Sequence, residues 1–252
     1  MQNTKWAMMG GQLIDVDTNS NSDTRYHLDI GCGPGHVLEW LNDCGCQQIG
    51  LDVSLTNLRN ARKSTGAHVV LGDATCMPFK SNVFSLVTES CVLHHIFAWE
   101  KMISESCRVC CEKNGGILYD TEPTKESLSL SWLAKFVFGL RWPVYKALSY
   151  IDPKKMHFRN ISLAREYYMT AEVHNQPGKG FLLTDVREVF ENSGFSPEIF
   201  LSPNDQLLHR EAITRKEAGW KRIVLHVLSG HNPFLVKYGS FTVIAKPSKK
   251  SS

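Results

Sequence analysis

The segment Asp29-Ile30-Gly31-Cys32-Gly33-Pro34-Gly35 places three glycines at alternate positions, directly after a short apolar run. Glycine adopts positive φ angles readily and, without a Cβ, lets the backbone approach a ligand closely. A dinucleotide-binding fingerprint would need its third glycine at position 36, where this chain has His36. The segment therefore predicts a sharp, ligand-facing turn of a different type between a strand and a helix.

Strand and helix patterns alternate through the first half of the chain. Short apolar runs predict strands, and apolar residues at helical spacing predict helices, the second of them with Ser54 as N-cap. We expect strands at 27–31, 48–52, 68–71, 84–88 and 116–119, and helices at 36–42, 54–62 and 99–111. Strands separated by helices favour a doubly wound, mostly parallel α/β sheet.

The second half of the chain changes in character. Residues 124–180 are rich in aromatic side chains and contain nine Lys and Arg against four Asp and Glu. We expect a helical insertion here, with an apolar face on its first helix and a break at Pro143. That face is predicted to comprise Leu133, Phe136, Val137 and Leu140.

The remaining elements complete a sheet of seven strands. We expect a helix at 183–193, capped by Thr184 and stopped by Gly194, and strands at 195–201 and 241–245. A second helical insertion is predicted around 211–228. The helical insertions thus follow strands 5 and 6, and the pattern favours one elaborated domain over residues 1–252.

Composition excludes several classes of protein. With 28 Lys and Arg against 25 Asp and Glu, the net charge of +3 argues against a nucleic-acid partner. No apolar run approaches a membrane span, and residues 1–10 lack the pattern of a secretory signal, so a cytoplasmic location is expected.

All eight cysteines lie within 32–111. We expect the Cys44/Cys46 and Cys107/Cys110/Cys111 groups on opposite faces of the sheet, as reduced thiols and not as metal ligands.

Four segments together resemble the class I S-adenosylmethionine-dependent methyltransferases. They are the glycine segment, Asp52 within GLDVS, Asp73-Ala74 within LGDATCMPF, and the run FSLVTESCVLHH at 84–95. Their order and spacing are similar to those of the branch that includes quinone and other small-molecule methyltransferases. Ser85 departs from the Asp that is usual at its position. The resemblance covers residues 26–123 well and resumes weakly at 181–201 and 240–247.

The resemblance implies S-adenosylmethionine as cofactor and assigns a set of binding residues. The glycine segment would lie beside the amino-acid portion of the cofactor, Asp52 at the ribose hydroxyls and Asp73 at the adenine amine. The implied cofactor-binding residues are Asp29, Gly31, Cys32, Gly33, Gly35, Asp52, Asp73, Ala74 and Ser90. On this view residues 26–123 form the cofactor-binding core, 124–180 an insertion or lid, and 181–247 the C-terminal helix and last two strands.

The residues leave several roles open. Asp29 is expected to hydrogen-bond the amides of the glycine segment, to contact the cofactor, or to do both. His94 and His95 are candidates for a general base or positioning donor, and equally for a structural pair that starts a helix. The carboxylates of Glu89 and Glu122 have no assigned role.

The predicted function is methyl transfer to an O, N or C nucleophile of a small, partly apolar acceptor. Methylation of RNA or protein, or an inactive cofactor-binding partner protein, is the alternative. The insertion is expected to form a lid, a docking surface or a peripheral membrane contact. The acceptor atom and the oligomeric state do not follow from the sequence.

Overall fold

Seven strands and six α-helices are found in the part of the chain that the structure describes. That structure is a computed structural model, which describes residues 25–128, 132–151, 159–176, 178–202 and 240–248. The strands are β1 (Tyr26–Ile30), β2 (Gln47–Asp52), β3 (His68–Leu71), β4 (Leu86–Ser90), β5 (Gly116–Pro123), β6 (Phe195–Ser202) and β7 (Ser240–Pro247). The helices are α1 (His36–Trp40), α2 (Leu55–Thr65), α3 (Trp99–Val109), α4 (Trp132–Leu148), α5 (Ile161–Ala171) and α6 (Leu183–Asn192). A 3-10 turn, Leu93–His95, lies between β4 and α3.

The strands form one sheet in the order β3-β2-β1-β4-β5-β7-β6. β1 pairs in parallel with both β2 and β4, β2 with β3, and β4 with β5. The predicted doubly wound, mostly parallel sheet of seven strands is confirmed. The chain order reverses between β1 and β4, and ligands of such sheets bind at this switch point, outside the carboxyl ends of the strands.

The central strands form because their side chains are buried on both faces of the sheet. Leu28, Ile30, Leu86 and Val87 are fully buried, as expected of strands covered by helices on both sides. α1 and α2 cover part of the sheet with Leu38, Leu58 and Ala61, which pack in one apolar cluster. This packing holds α1 and α2 against the sheet, and the pairing of β1 with β2 and β4 places the ends of these three strands beside one another.

Most of the predicted boundaries in the first half hold within two residues. Ser54 caps α2 by accepting a hydrogen bond from the backbone N–H of Asn57, as predicted. β4 starts at Leu86 and not at Phe84, because Phe84 forms a lone bridge with Cys110 before the strand begins. The prediction that Thr184 caps the helix at 183–193 was wrong. Thr184 is the second residue of α6, and its hydroxyl lies 3.0 Å from the Asp185 carboxylate. Gly194, with φ 82°, follows the end of α6 as expected.

The described residues divide into two compact units, one over 25–122, 183–200 and 241–248 and the other over 123–128, 132–151, 159–176, 178–182, 201–202 and 240. In the second unit, α4 runs through Pro143, so the predicted break there was wrong. A proline inside a helix removes one backbone hydrogen bond, a cost that the turns on either side of it can offset. Phe136 and Leu140 are exposed on α4, and Trp142 packs edge to face against Tyr168 of α5 with ring centroids 5.8 Å apart.

Two further predictions concern the remainder of the chain. The second insertion, predicted around 211–228, lies outside the described residues. None of the helices in the described ranges is long and apolar enough to cross a membrane.

Candidate active site

The carboxylate of Asp52, at the end of β2, holds the tip of the glycine segment that follows β1. Its Oδ2 accepts a hydrogen bond from Gly33 N over 2.9 Å, and its Oδ1 accepts one from Ser54 N over 2.7 Å. An ionised carboxylate offers about four lone-pair positions, so each oxygen keeps one for a further donor. Asp52 therefore fixes the loop and the start of α2, and can still accept two vicinal hydroxyls.

The three glycines of the segment have different neighbours. A Cβ on Gly31 would collide with the side chain of Val92, just after β4, and one on Gly35 would press on Ala61 of α2 at 3.1 Å. A Cβ on Gly33 would meet nothing within 4 Å, although its φ of 52° is itself strained for other residues. Gly31 and Gly35 thus permit close packing, while Gly33 borders open space at the switch point.

Cys32, predicted to contact the cofactor, turns its side chain into the core. It is 6% exposed and packs with Leu38 and Leu58, and Gly50 of β2 leaves the room that the sulfur occupies. Burial raises the pKa of the Cys32 thiol to about 12, so it stays neutral. At this position only the backbone is available to a ligand.

Asp73 and Ala74 lie in the loop that follows β3. Asp73 is exposed and its Oδ1 accepts hydrogen bonds from both the N–H and the hydroxyl of Thr75, at 2.7 and 2.8 Å, while Ala74 is buried. The loop continues into a segment anchored on α3: Arg108 donates to the carbonyls of Met77 and Phe79.

Glu105 completes this anchor. Its carboxylate pairs with Arg108 at 2.6 Å and accepts the N–H of Met77 at 2.7 Å. The hydrogen bonds from Arg108 lower the pKa of Glu105. A charged network that the sequence analysis did not identify therefore holds the segment that follows the predicted adenine-edge residues.

Asp29 is buried in a chain of polar side chains across β1 and β4. Thr88 Oγ1 lies 2.7 Å from both His27 Nε2 and Asp29 Oδ1. Burial lowers the pKa of His27 to about 3, and burial, followed by the charges of Glu89 and Asp52, raises the pKa of Asp29 to about 8. The loop amide of Gly33 donates to Asp52, so the role of loop acceptor that we considered for Asp29 is filled by Asp52.

Glu89 and Glu122 are both fully buried and converge on the turn that carries the two histidines. Glu89 Oε1 accepts hydrogen bonds from the N–H groups of Val92 and Leu93, the second at 3.1 Å. Glu122 accepts from Leu93 N and His94 N, and its Oε2 lies 2.9 Å from His94 Nδ1. Glu122 follows His94 by 28 residues, and no local pattern predicts this contact.

His94 is buried and His95 is exposed, and their ring centroids lie 4.0 Å apart. The expectation that the pair starts a helix holds in part, since both belong to the 3-10 turn. Ser90, the last residue of β4, is half-buried and lies opposite Asp120 of β5. The first compact unit therefore brings Asp52, Gly33, Asp29 and the His94 turn to the carboxyl ends of neighbouring strands.

These residues fit the cofactor that the resemblance implies. Asp29 Oδ2 is buried and has no hydrogen-bond partner among the described residues, and Gly33 borders open space. Val53, directly after Asp52, is a 75% exposed apolar side chain. An orphaned carboxyl oxygen, a hydroxyl acceptor and an exposed apolar surface match the amino, ribose and adenine parts of S-adenosylmethionine.

Comparison with known proteins agrees with this geometry. Residues 28–119 match the family model described as a methyltransferase domain. Residues 28–119 are thus similar in sequence to known methyltransferase domains. The assignment to the S-adenosylmethionine-dependent methyltransferases made from the sequence is confirmed.

Three curated relatives are similar to part of the chain. Malonyl-[acyl-carrier protein] O-methyltransferase of Enterobacter lignolyticus is 32% identical over 102 residues, 40% of each chain. Demethylmenaquinone methyltransferase of Renibacterium salmoninarum is 35% identical over 96 residues, 38% of this chain and 40% of that one. The mitochondrial arginine-hydroxylase NDUFAF5 of Danio rerio is 39% identical over 71 residues, 27% of this chain and 22% of that one. The match spans two fifths or less of the length of these relatives.

A solved structure extends the likeness in fold beyond the methyltransferase domain. Phosphoethanolamine N-methyltransferase 2 of Haemonchus contortus, in complex with S-adenosyl-L-methionine, superposes with a TM-score of 0.57 at 16% identity. The likeness covers 98% of this chain and 53% of that one. At this identity the likeness concerns the fold alone.

Proposed function

We propose that the chain moves the methyl group of S-adenosylmethionine to a nucleophile of a small, partly apolar acceptor. The observation that carries the proposal is the Asp52 carboxylate, which binds the tip of the glycine loop and keeps acceptor positions at the topological switch point. Bound there, S-adenosylmethionine supplies a methyl group on a sulfonium whose departure leaves a neutral thioether. The protein's main contributions are alignment and exclusion of water.

The residues that would hold the cofactor follow from their positions. Asp52 would accept the ribose hydroxyls, Gly33 would lie beside the amino-acid portion, and Asp29 Oδ2 would face the amino group. Asp73 and Ala74, in the loop that precedes the segment anchored by Arg108, would border the adenine. Gly31, Gly35 and Cys32 would shape the loop through packing.

The acceptor side is supported by an exposed apolar residue next to the histidine turn. Phe97, two residues after His95, is 84% exposed. Two of the relatives are named for O-methylation of malonyl-acyl carrier protein and for methylation of demethylmenaquinone. An exposed phenyl ring beside two imidazoles suits an acceptor with an apolar body and a polar nucleophile.

Titration calorimetry with the full chain tests the proposal. S-adenosylmethionine is expected to bind, and Asp52→Ala is expected to weaken its binding at least tenfold, with Asp43→Ala, at an exposed acid between α1 and β2, as the control. Transfer of the methyl group is followed as formation of S-adenosylhomocysteine. No binding by the wild-type chain would refute the proposal.

The same experiment separates the alternative functions. Tight binding without turnover on any small acceptor, but with turnover on RNA or protein, would identify a macromolecular methyltransferase. Binding without turnover on any of these would identify an inactive cofactor-binding protein.

A further inference from the structure

Two half-buried cysteines, Cys44 and Cys46, flank Gly45 in the turn that joins α1 to β2. Gly45 has a φ of 71°, and this left-handed conformation turns the chain sharply between the two thiols. Cys46 Sγ lies 3.9 Å from the Cys44 carbonyl oxygen, and both side chains pack against the apolar cluster that contains Leu41. The two sulfur atoms are therefore held close together, and each side chain remains in contact with solvent.

This turn lies at the edge of the sheet opposite to the candidate active site. It precedes β2, whereas Asp52 ends that strand, and β2 runs parallel to β1. The glycine loop and the His94 turn follow the carboxyl ends of β1 and β4. Chemistry at the Cys44–Cys46 turn is therefore independent of methyl transfer.

Cys44 is the thiol of the pair that ionises. The neighbouring Cys46 thiol is the largest of the influences that lower the pKa of Cys44, and the Gln48 side chain also lowers it, against burial, which raises it. The interaction with Cys44, together with burial, raises the pKa of Cys46 well above its ordinary value. One sulfur is thus a thiolate while the other keeps its proton, as in Cys-X-X-Cys sites, where the attacking thiol also has a lowered pKa.

The Gln48 side chain provides a donor for that thiolate. Gln48 is 8% exposed, and its Nε2 is buried without a hydrogen-bond partner among the described residues. A buried donor without an acceptor is unfavourable, so a charged sulfur on Cys44 would stabilise this amide. Arg25 lies beside the same turn, with its guanidinium 3.5 Å from the position of a Cβ on Gly45, and its charge lowers the pKa of Cys46. Both groups favour negative charge on the pair of sulfur atoms.

The other cysteine group, Cys107, Cys110 and Cys111, has the Cys-X-X-Cys spacing of many redox sites but a different environment. Cys107 and Cys110 are 5% and 0% exposed. Burial raises the pKa of Cys107 to about 12 and raises that of Cys110 as well. Buried neutral thiols of this kind are inert. Redox chemistry is therefore expected at the Cys44–Cys46 turn and not at this group.

We propose that Cys44 and Cys46 form a redox-active dithiol, which low-molecular-weight disulfides of the glutathione type oxidise to an intramolecular disulfide. The Cys44 thiolate attacks one sulfur of the reagent, a new S–S bond forms, the S–S bond of the reagent breaks, and the released thiolate takes a proton from solvent. Cys46 then loses its proton to solvent and attacks the Cys44 sulfur, and the second glutathione thiolate leaves. The dithiol is thus oxidised by two electrons while one glutathione disulfide is reduced to two glutathione molecules.

The test starts from the fully reduced full-length chain, which is incubated with excess glutathione disulfide at neutral pH and quenched with acid. The remaining thiols are alkylated after unfolding, and the chain is cut with endoproteinase Asp-N, which cleaves before Asp43 and Asp52. The resulting peptide, 43–51, contains Cys44 and Cys46 and no other cysteine. We expect this peptide to be two hydrogen atoms lighter and free of alkyl groups. A 43–51 peptide that is alkylated at both cysteines would overturn the proposal.

Two serine variants separate the roles of the two sulfur atoms. In Cys46→Ser the Cys44 thiolate is retained but no second thiol can close the ring, so one glutathione is expected to remain bound at Cys44. In Cys44→Ser the nucleophile is absent, and addition of glutathione to Cys46 is expected to be at least tenfold slower. Equal rates of addition in the two variants, or a wild type that keeps its bound glutathione, would also contradict the proposal.

Two neighbouring glutamines provide the matched control for the thiolate. Gln48→Met removes the buried amide donor at nearly constant side-chain volume, and is expected to slow alkylation of Cys44 by iodoacetamide at least threefold at neutral pH. Gln47→Met changes the exposed neighbour on β2 and is expected to leave this rate unchanged. Equal rates in Gln48→Met and the wild type would contradict an ionised Cys44 that is stabilised by this amide.

Discussion

Gly33 N donates to Asp52 Oδ2 over 2.9 Å, so the end of one strand holds the loop that follows its neighbour. β1 and β2 are paired in parallel, which places these residues at the same edge of the sheet. Ser54 N donates to the other oxygen of the same carboxylate. One side chain thus connects the glycine loop, the end of β2 and the start of α2.

Replacing Asp52 by Asn is therefore expected to reduce both stability and affinity. The Asn oxygen can accept only one of the two backbone N–H groups, and the other faces an amide nitrogen. The free energy of unfolding is expected to fall by about 1–2 kcal/mol, and the affinity for S-adenosylmethionine at least tenfold. Urea unfolding and calorimetry measure the two effects, with Asp43→Asn as the control. If the apparent affinity of Asp52→Asn fell only as much as its larger unfolded fraction accounts for, the result would contradict the ribose assignment.

The sequence predicts the sheet well because its signals are local. The apolar runs of β1 to β3 and the cap at Ser54 depend on residues close in the chain. β4 was predicted two residues early, because polar Glu89 and Ser90 belong to the strand through contacts with β5. The apolar run gives no information about that partner.

The candidate site was predictable only in part, for the same reason. The glycine segment, Asp52 and the two histidines stand out by type and spacing. Glu122 and Arg108 act through residues 28 to 31 positions away, and their partners emerge only when the strands are paired. Cys32 was assigned to the cofactor because of its place in the motif, whereas the room left by Gly50 turns its side chain into the core.

Alanine substitutions at Gly31 and Gly33 should have different effects, because Gly31 is needed for close packing and Gly33 for the close approach of the cofactor. Gly31→Ala is expected to destabilise the fold by about 2–4 kcal/mol, because its Cβ collides with Val92 and φ is 63°. The Cβ of Gly33→Ala would meet open space, so the free energy of unfolding is expected to fall by only about 1–2 kcal/mol, because of the positive φ alone. Gly33→Ala should nevertheless weaken S-adenosylmethionine more than tenfold in calorimetry.

The double variant Gly31→Ala/Val92→Ala provides the matched control. Val92→Ala removes the methyls that the new Cβ at position 31 would meet. The free energy of unfolding of the double variant should therefore exceed the value expected from adding the two single effects, by at least half of the loss in Gly31→Ala. An additive result would show that the loop and the Val92 turn are not in contact.

The pH dependence of stability should carry the signature of Asp29. Burial raises the pKa of Asp29 to about 8 in the folded protein, against about 4 in an unfolded chain. The folded state then holds a proton that the unfolded state releases, so this contribution is complete below pH 4 and is lost as pH rises to about 8.

Asp29→Asn removes this titration while keeping the size of the side chain. Between pH 5 and pH 8, wild-type stability is expected to fall relative to Asp29→Asn, by up to about 1.4 kcal/mol per pH unit. The difference between the two proteins cancels the titration of His27, whose lowered pKa acts in the opposite direction. Urea unfolding at half-unit pH intervals measures it, and a difference that is constant with pH would contradict a raised pKa for Asp29.

Thr121 offers a test of the strain at the end of β5. Its side chain is exposed and its φ is 66°, where glycine is comfortable and a β-branched residue is not. Thr121→Gly is expected to stabilise the chain by about 1 kcal/mol, after the loss of the 3.0 Å hydrogen bond from its hydroxyl to Asp120. Thr121→Ala, which loses the same hydrogen bond but keeps a Cβ, should be less stable than the wild type. If both variants were destabilised equally, the left-handed backbone at this position would contribute no strain.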